Sequence, residues 1–239
     1  MKAIVLLTGT IDPKNMILTA LSSPDIRREQ YLRAIKYWCD NAEIPIVFVE
    51  NSNNDVSDYF KEEISSQKLE VLTFDGNSYS RDLGKGFGEF SCLEYACTNS
   101  FLLSEADFVF KVTGRHKILN FDFFYKHIQD LDTVDLLLDF RYNLTFCDSR
   151  IFGFKPAFFY KYLMEFKYLV NDSNGIYFEN ILAKASLRAI ADDYIMSPFP
   201  CFARVEGTSG TYNKEYKRSF LSYVKNNLKA KMKYLIISK

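Results

Sequence analysis

Residues 2–8, Lys2-Ala3-Ile4-Val5-Leu6-Leu7-Thr8, form a nearly continuous apolar run with β-branched members, and Gly9 breaks it. A run this short, apolar on both alternating faces, predicts a strand buried on both sides, as in the middle of a parallel sheet. The chain that follows agrees. Ser23-Pro24 offers an N-cap with proline at the first helical position, and Tyr31, Ala34, Ile35, Trp38 and Ala42 then recur on one face, which predicts a helix over 24–41. After Pro45, Ile46-Val47-Phe48-Val49 reads as a second buried strand ending in the polar run Glu50-Asn51-Ser52-Asn53-Asn54. Residues 55–66 read as a polar helix and Leu69 to Phe74 as a third strand. This order predicts a doubly wound α/β half-domain with right-handed crossovers.

Beyond it lies a stretch rich in Gly, Ser and charge, Gly76 to Glu89, followed by a helix marked by Phe90, Leu93, Ala96 and Phe101. Strands are expected at 107–113, 134–140 and 150–154, an aromatic-rich helix from Pro156, and a last helix over about 177–186. The expectation is one α/β domain over 1–205, a mostly parallel central sheet flanked by helices, and a separate basic amphipathic tail over 206–239.

Length and composition suit one soluble core of ordinary hydrophobicity. Phe (22) and Tyr (16) are abundant, which fits either dense packing or aromatic faces for sugars, bases or partners. The formal charge is zero, yet from Lys214 to Lys239 seven Lys and one Arg face Glu215 alone. The tail therefore carries +7 and the rest of the chain −7. Five scattered cysteines, without a CxxC pair or a zinc-like spacing, predict buried thiols in a reducing compartment. With no transmembrane-length apolar run and no leader-like start, a cytoplasmic protein is expected.

Ligands of doubly wound sheets collect beyond the carboxyl ends of the strands, which places Thr8, Gly9, Thr10, Glu50 and Asn51 where a nucleotide binds. Gly84-Lys85-Gly86-Phe87-Gly88 stands before a helix and can aim N–H groups and an ammonium at phosphates, or serve as a flexible turn. Lys111, Arg115, His116 and Lys117 cluster at the end of the fourth strand, as diphosphate stabilisers or as a solvated basic turn. Glycosyl transfer also needs a carboxylate base. Candidates are Glu179, which opens a helix, and Asp148, on a loop; Asp130-Leu131-Asp132 has a metal-binding form but falls between a helix and a strand. His116 is a further candidate base, and His127 reads as a helical surface residue. In the tail, Tyr216, Phe220, Val224, Leu228, Met232 and Leu235 recur at helical spacing among lysines, suiting an anionic membrane surface or a helix packed on its own domain. Nucleic acid is not an expected partner, since no recognition motif is present.

With these parts in this order, the chain resembles GT-A-type glycosyltransferases, especially bacterial enzymes of capsule, O-antigen or lipopolysaccharide assembly. The resemblance covers about residues 1–205. It implies a nucleotide-sugar donor and a glycan or lipid-linked acceptor, with Thr8, Gly9 and Thr10 on base and ribose and Glu50 and Asn51 on the nucleotide. It implies Gly84-Lys85-Gly86 over the nucleotide and Glu179, within Tyr177-Phe178-Glu179-Asn180, as the base. Where the family usually places D-x-D, this chain has Lys111-Val112-Thr113-Gly114-Arg115. That departure leaves Mg or Mn as an open expectation and favours Lys111 and Arg115 as diphosphate stabilisers. Two rival readings remain: a sugar nucleotidyltransferase, which needs a Gly-rich basic loop that Thr8 to Lys14 lacks, and a non-catalytic adaptor binding membrane or protein.

Overall fold

The computed structural model describes residues 1–14, 16, 19–131, 133–208, 216 and 220–237. The first half alternates as expected: β1 (Ala3–Gly9), α1 (Pro24–Asn41), β2 (Ile46–Glu50), α2 (Lys61–Ser65), β3 (Leu69–Thr73), α3 (Gly84–Asn99), the short α4 (Phe101–Ser104) and β4 (Phe108–Thr113). A two-residue strand β5 (Lys117–Ile118) and α5 (Phe121–Asp130) follow. Then come β6 (Leu136–Leu138), the ribbon β7 (Phe140–Arg141) with β8 (Phe146–Cys147), β9 (Ile151–Phe154), α6 (Pro156–Phe158), α7 (Phe178–Ala191), β10 (Met196–Pro198), β11 (Val205–Glu206) and α8 (Phe220–Ile237).

Seven strands form one sheet in the order β10-β6-β9-β4-β1-β2-β3. All neighbours are parallel except β9, which runs against both β4 and β6. Every residue of β1 and β2 is buried, as their unbroken apolar runs require. Alternate residues feed two cores. Ile4, Leu6, Val47, Val49 and Phe152 meet Phe90 and Leu93 of α3 and Phe178 and Leu182 of α7. Val5, Leu7, Phe48 and Phe110 meet Tyr31, Ile35 and Trp38 of α1 and Phe121 and Phe124 of α5. The aromatic surplus is thus largely packing: Phe48, Phe90, Phe110, Phe152 and Phe154 are all wholly buried, each stabilising by roughly 2–3 kcal/mol.

Several expectations need correcting. The polar helix over 55–66 is a 3-10 turn plus the five residues of α2. The strand expected over 134–140 splits, because Leu136–Leu138 joins the main sheet while Phe140 turns away to pair with Cys147. The aromatic stretch after Pro156 passes through π and 3-10 turns rather than one regular helix. α7 runs on to Ala191, and β10 adds an edge strand. Asp130 closes α5; Asp132 lies outside the described residues.

α8 lies against the body by its more polar side. Asn227 Oδ1 accepts the Phe202 N–H (3.1 Å), Lys233 Nζ reaches Asp139 Oδ1 (2.9 Å), and Tyr234 meets His127 edge-on at 5.3 Å. His127 also hydrogen-bonds Ser197 Oγ at 2.8 Å. Leu221, Val224, Leu228, Met232 and Leu235 point away from the body, with Leu221 79% and Leu228 61% exposed. No described helix is long and apolar enough to cross a membrane.

Candidate functional site

The carboxyl ends of β1 and β4 are drawn together, the Gly114 N–H donating to Thr8 O at 2.9 Å. A Cβ on Gly114 would stand 2.7 Å from that oxygen, so only glycine fits. Thr10 follows β1, its N–H held by the Tyr31 hydroxyl (2.9 Å) and its own hydroxyl donating to Asn51 Oδ1 (2.7 Å). Glu50 is 0% exposed. Its carboxylate accepts the N–H groups of Ile11 (2.8 Å), Ser52 (3.0 Å) and Asn54 (2.8 Å), and the Ser52 hydroxyl. Burial pushes its pKa up, against the pull of those donors. Glu50 and Asn51 therefore lash the loops after β1 and β2 together; both side chains are spent inside the protein rather than presented to a ligand.

A cleft of about 70 Å³ opens beyond these strand ends, with Thr10, Asn77, Tyr79, Arg27, Lys85 and Arg115 in its wall. Sequence reasoning placed Thr10, Lys85 and Arg115 on three separate segments, and the fold brings them together here. It missed Arg27. That residue stands one helical turn before Tyr31 on the buried face of α1, and a charge on an apolar stripe is the signal that could have found it. Arg27 is 5% exposed and Arg115 7%. Arg27 donates to the carbonyls of Thr10 (Nε, 2.8 Å) and Leu21 (3.2 Å), and Arg115 Nη1 to Gln30 Oε1 (2.9 Å). Among the described residues neither guanidinium forms an ion pair with a carboxylate, and Arg115 Nε is buried with no hydrogen-bond partner. Burial pushes the Arg27 pKa down, and Arg115 adds to that shift. Burial likewise lowers Lys85, with Glu179 and Asp172 pulling it back up. Burying two guanidiniums without an ion-paired carboxylate is costly.

Gly84 and Gly86 do something else. They form the first turn of α3 rather than a loop before it, and the Asp172 carboxylate fills that helix N-terminus, accepting the Gly86 N–H at 3.3 Å. A Cβ on Gly84, whose φ is +76°, would come within 2.3 Å of Asp172. The helix dipole expected to receive phosphate is thus engaged by the chain's own carboxylate.

Lys111 is fully buried within β4, its ammonium over the rings of Phe152 and Phe178. Its ammonium pairs with Glu89 and donates to Ser149 O (2.8 Å). Burial pushes its pKa down to about 7, with Glu179 and Asp148 opposing. It braces the loop before β9 and does not reach the cleft. Asp148 is equally committed, held by Arg150 Nε (2.9 Å) and Arg141 Nη2 (2.6 Å). Its burial favours the neutral acid, but the two guanidiniums outweigh that and take the pKa to about 2. It is a structural counter-ion. Glu179 differs: half-buried in the first turn of α7, it accepts one bond, from Ser149 Oγ at 2.9 Å, and it is close enough to Lys85 to raise that lysine's pKa. His116 is buried behind this region, its pKa pushed down to about 3 by burial and by Arg115, Arg150 and Lys111. A proton acceptor that weak is no base near neutral pH.

No protein-family profile matches the sequence, and no curated protein matches it. Solved structures give weak likenesses. They include a cytidylyltransferase from Leptospira borgpetersenii (TM-score 0.43, 16% identity, 99% of this chain and 97% of that one). GlyE, a glycosyltransferase of Streptococcus pneumoniae, matches at TM-score 0.44 and 12% identity over 82% of this chain and 44% of that one. Residues 1–349 of TarS from S. aureus match at TM-score 0.42 and 14% identity over 67% of this chain; this chain spans about half of that one, 48%. TM-scores this far below 0.5 carry no function across.

Magnesium and manganese require oxygen ligands. The end of β4 presents Lys111 and Arg115, Glu50 is bound by backbone N–H groups, and Asp148 by two arginines. Among the described residues no three His, Cys, Asp or Glu side chains group as a metal cage. The donor set does not fit a divalent ion.

Proposed function

We propose that this protein is a nucleotide-sugar-dependent glycosyltransferase whose donor diphosphate binds in the cleft beyond β1 and β4. The observation that carries this reading is the wall of Arg27, Lys85 and Arg115, with two guanidiniums nine-tenths buried and no carboxylate among the lining residues. A diphosphate supplies the missing charge and the bidentate acceptors that guanidiniums favour. Base and ribose would rest against Thr10, which lines the cleft beyond the buried Thr8 and Gly9. Glu179 takes the proton of an acceptor hydroxyl, and the oxygen bonds to the anomeric carbon. The bond from that carbon to the diphosphate breaks, and the electron pair leaves on the nucleoside diphosphate, stabilised by the three cations in place of a metal.

The acceptor in this reading is a surface polysaccharide or lipid-linked glycan of the capsule, O-antigen or lipopolysaccharide kind. α8 supports a station at the inner membrane leaflet. Its exposed stripe Leu221, Leu228, Met232 and Leu235 is flanked by exposed Lys225, Lys229 and Lys231, a combination that suits an anionic bilayer. Co-sedimentation with phosphatidylglycerol vesicles, lost in Leu228→Glu, is expected; equal binding by both proteins rejects the station.

Thermal unfolding against UDP, GDP, CMP and their sugar conjugates, in EDTA and in manganese, tests the donor reading. One nucleotide should stabilise by about 2.7 kcal/mol at 100 times its Kd, equally in EDTA. No response to any nucleotide overturns the reading. Release of inorganic diphosphate from a nucleoside triphosphate and a sugar phosphate would instead make the protein a nucleotidyltransferase.

A further inference from the structure

A second cavity, of about 960 Å³, lies beside the first, between α1, the β5–β11 ribbon and α8. Arg115 lines both. A volume of this order suits a bound organic ligand of several rings. Arg33, Arg115, Lys117, Arg150 and Arg204 line it, against Glu206 as the single lining acid among the described residues. Some of this charge is answered locally: Lys117 pairs with Glu206 (2.9 Å), Arg150 with Asp148, and Arg33 with Glu29. Five cations still face three carboxylates. The guanidiniums of Arg150 and Arg204 stand 5.2 and 5.3 Å from the ring centroids of Tyr216 and Tyr223, and Phe202 completes an aromatic wall. Rings flanked by cations make a surface on which flat apolar faces stack while carboxylates or phosphates find donors.

We infer that this cavity is the acceptor site and that it selects an anionic saccharide, a glycan end bearing a carboxylate or phosphate. The inference rests on the donor reading for the word acceptor, but the site is argued from its own walls. An acidic acceptor approaching a nucleoside diphosphate meets like-charge repulsion, which grows in a partly desolvated cleft. Arg115, standing in both walls with a buried and unpartnered Nε, is placed to screen one anion from the other. A neutral glycan has no use for this charge.

Calorimetric titration of the full chain, with and without the nucleotide found above, tests the site directly. The probes are a disaccharide ending in glucuronate, one ending in a sugar phosphate, and the matched neutral disaccharide. The expected result is binding of at least one acidic probe, with the neutral one at least about tenfold weaker; whichever acidic probe binds tighter identifies the anion. Arg204→Gln and Arg33→Gln change exposed side chains outside the donor cleft. Each should weaken the acidic probe about tenfold and leave nucleotide stabilisation unchanged. Indifference between acidic and neutral probes, no binding of any probe at millimolar concentration, or wild-type affinity in both variants overturns the inference. Loss of nucleotide binding in Arg204→Gln also overturns it, by making the large cavity the donor's. Acidic-probe binding without any nucleotide response leaves this site standing and removes the donor reading alone.

Discussion

Arg27 and Arg115 share one aromatic ring, their guanidinium carbons 5.9 and 5.8 Å from the centroid of Tyr31. Two like charges held over one ring, both buried and neither ion-paired among the described residues, is an arrangement that costs stability in the empty protein. In the proposed function a bound diphosphate provides the missing charge. Arg115→Met should therefore leave the melting temperature of the unliganded protein unchanged or raise it slightly, while nucleotide Kd rises at least about tenfold. A lower melting temperature with unaltered nucleotide affinity would make Arg115 a packing residue.

Glu179→Gln keeps the Ser149 hydrogen bond in shape but removes the proton acceptor. Turnover should fall by about 10²-fold or more, with nucleotide stabilisation within a factor of two of wild type. Asp148→Asn separates the two candidate carboxylates. It strands Arg150 while Arg141 keeps Asp139, so a loss of about 3 kcal/mol in stability is expected, read by denaturant midpoint.

Acid should destabilise the fold in two windows. His116 titrates near 6.5 when unfolded and near 3 when folded. Its pKa is depressed, so the unfolded chain binds the proton first, and stability falls by up to about 1.4 kcal/mol per pH unit as pH drops from about 6.5 towards 3. Asp148 is also depressed, from 3.8 to about 2. Its contribution is complete above the unfolded value and is lost as pH falls through about 2. His116→Gln should flatten the first window alone; an unchanged slope between pH 6 and 4 would refute this assignment.

Gly84→Ala and Gly175→Ala form a matched pair, both at positive φ (76° and 72°). A Cβ at Gly175 meets nothing within 4 Å, whereas at Gly84 it collides with Asp172. The Gly175 variant should lose only about 1 kcal/mol, the backbone cost. Gly84→Ala should lose clearly more, read from the same urea curves.

Much of the fold could be read in the sequence because β1 and β2 are unbroken apolar runs and α1 has a clear period with proline at its start, although the Ser23 side chain forms no cap hydrogen bond. The start of α3 could not. Glycine disfavours helix, and the turn at Gly84 and Gly86 forms because Asp172, far along the chain, seats in it. The aromatic run after Pro156 has no single period, and its turns follow packing on α7. Within the site, Thr10 and Arg115 lie beyond strand ends and Lys85 in the first turn of α3, and it is the fold that brings the three into one wall. Position does not say which way a side chain faces: Glu50 turned inward to the loops, and Lys111 toward Glu89 and Ser149.

The reversed direction of β9 has a consequence for how such a protein can change. Because it runs against β4, with Thr113 N–H donating to Arg150 O at 3.1 Å, it is the chain entering β9 that arrives at the ligand edge. That chain is the β7–β8 ribbon and the Asp148-Ser149-Arg150 turn, tethered at both ends to sheet strands that never leave the core. Arg150 of that turn lines the larger cavity, so a substitution there can alter that wall while the seven-stranded frame keeps its register.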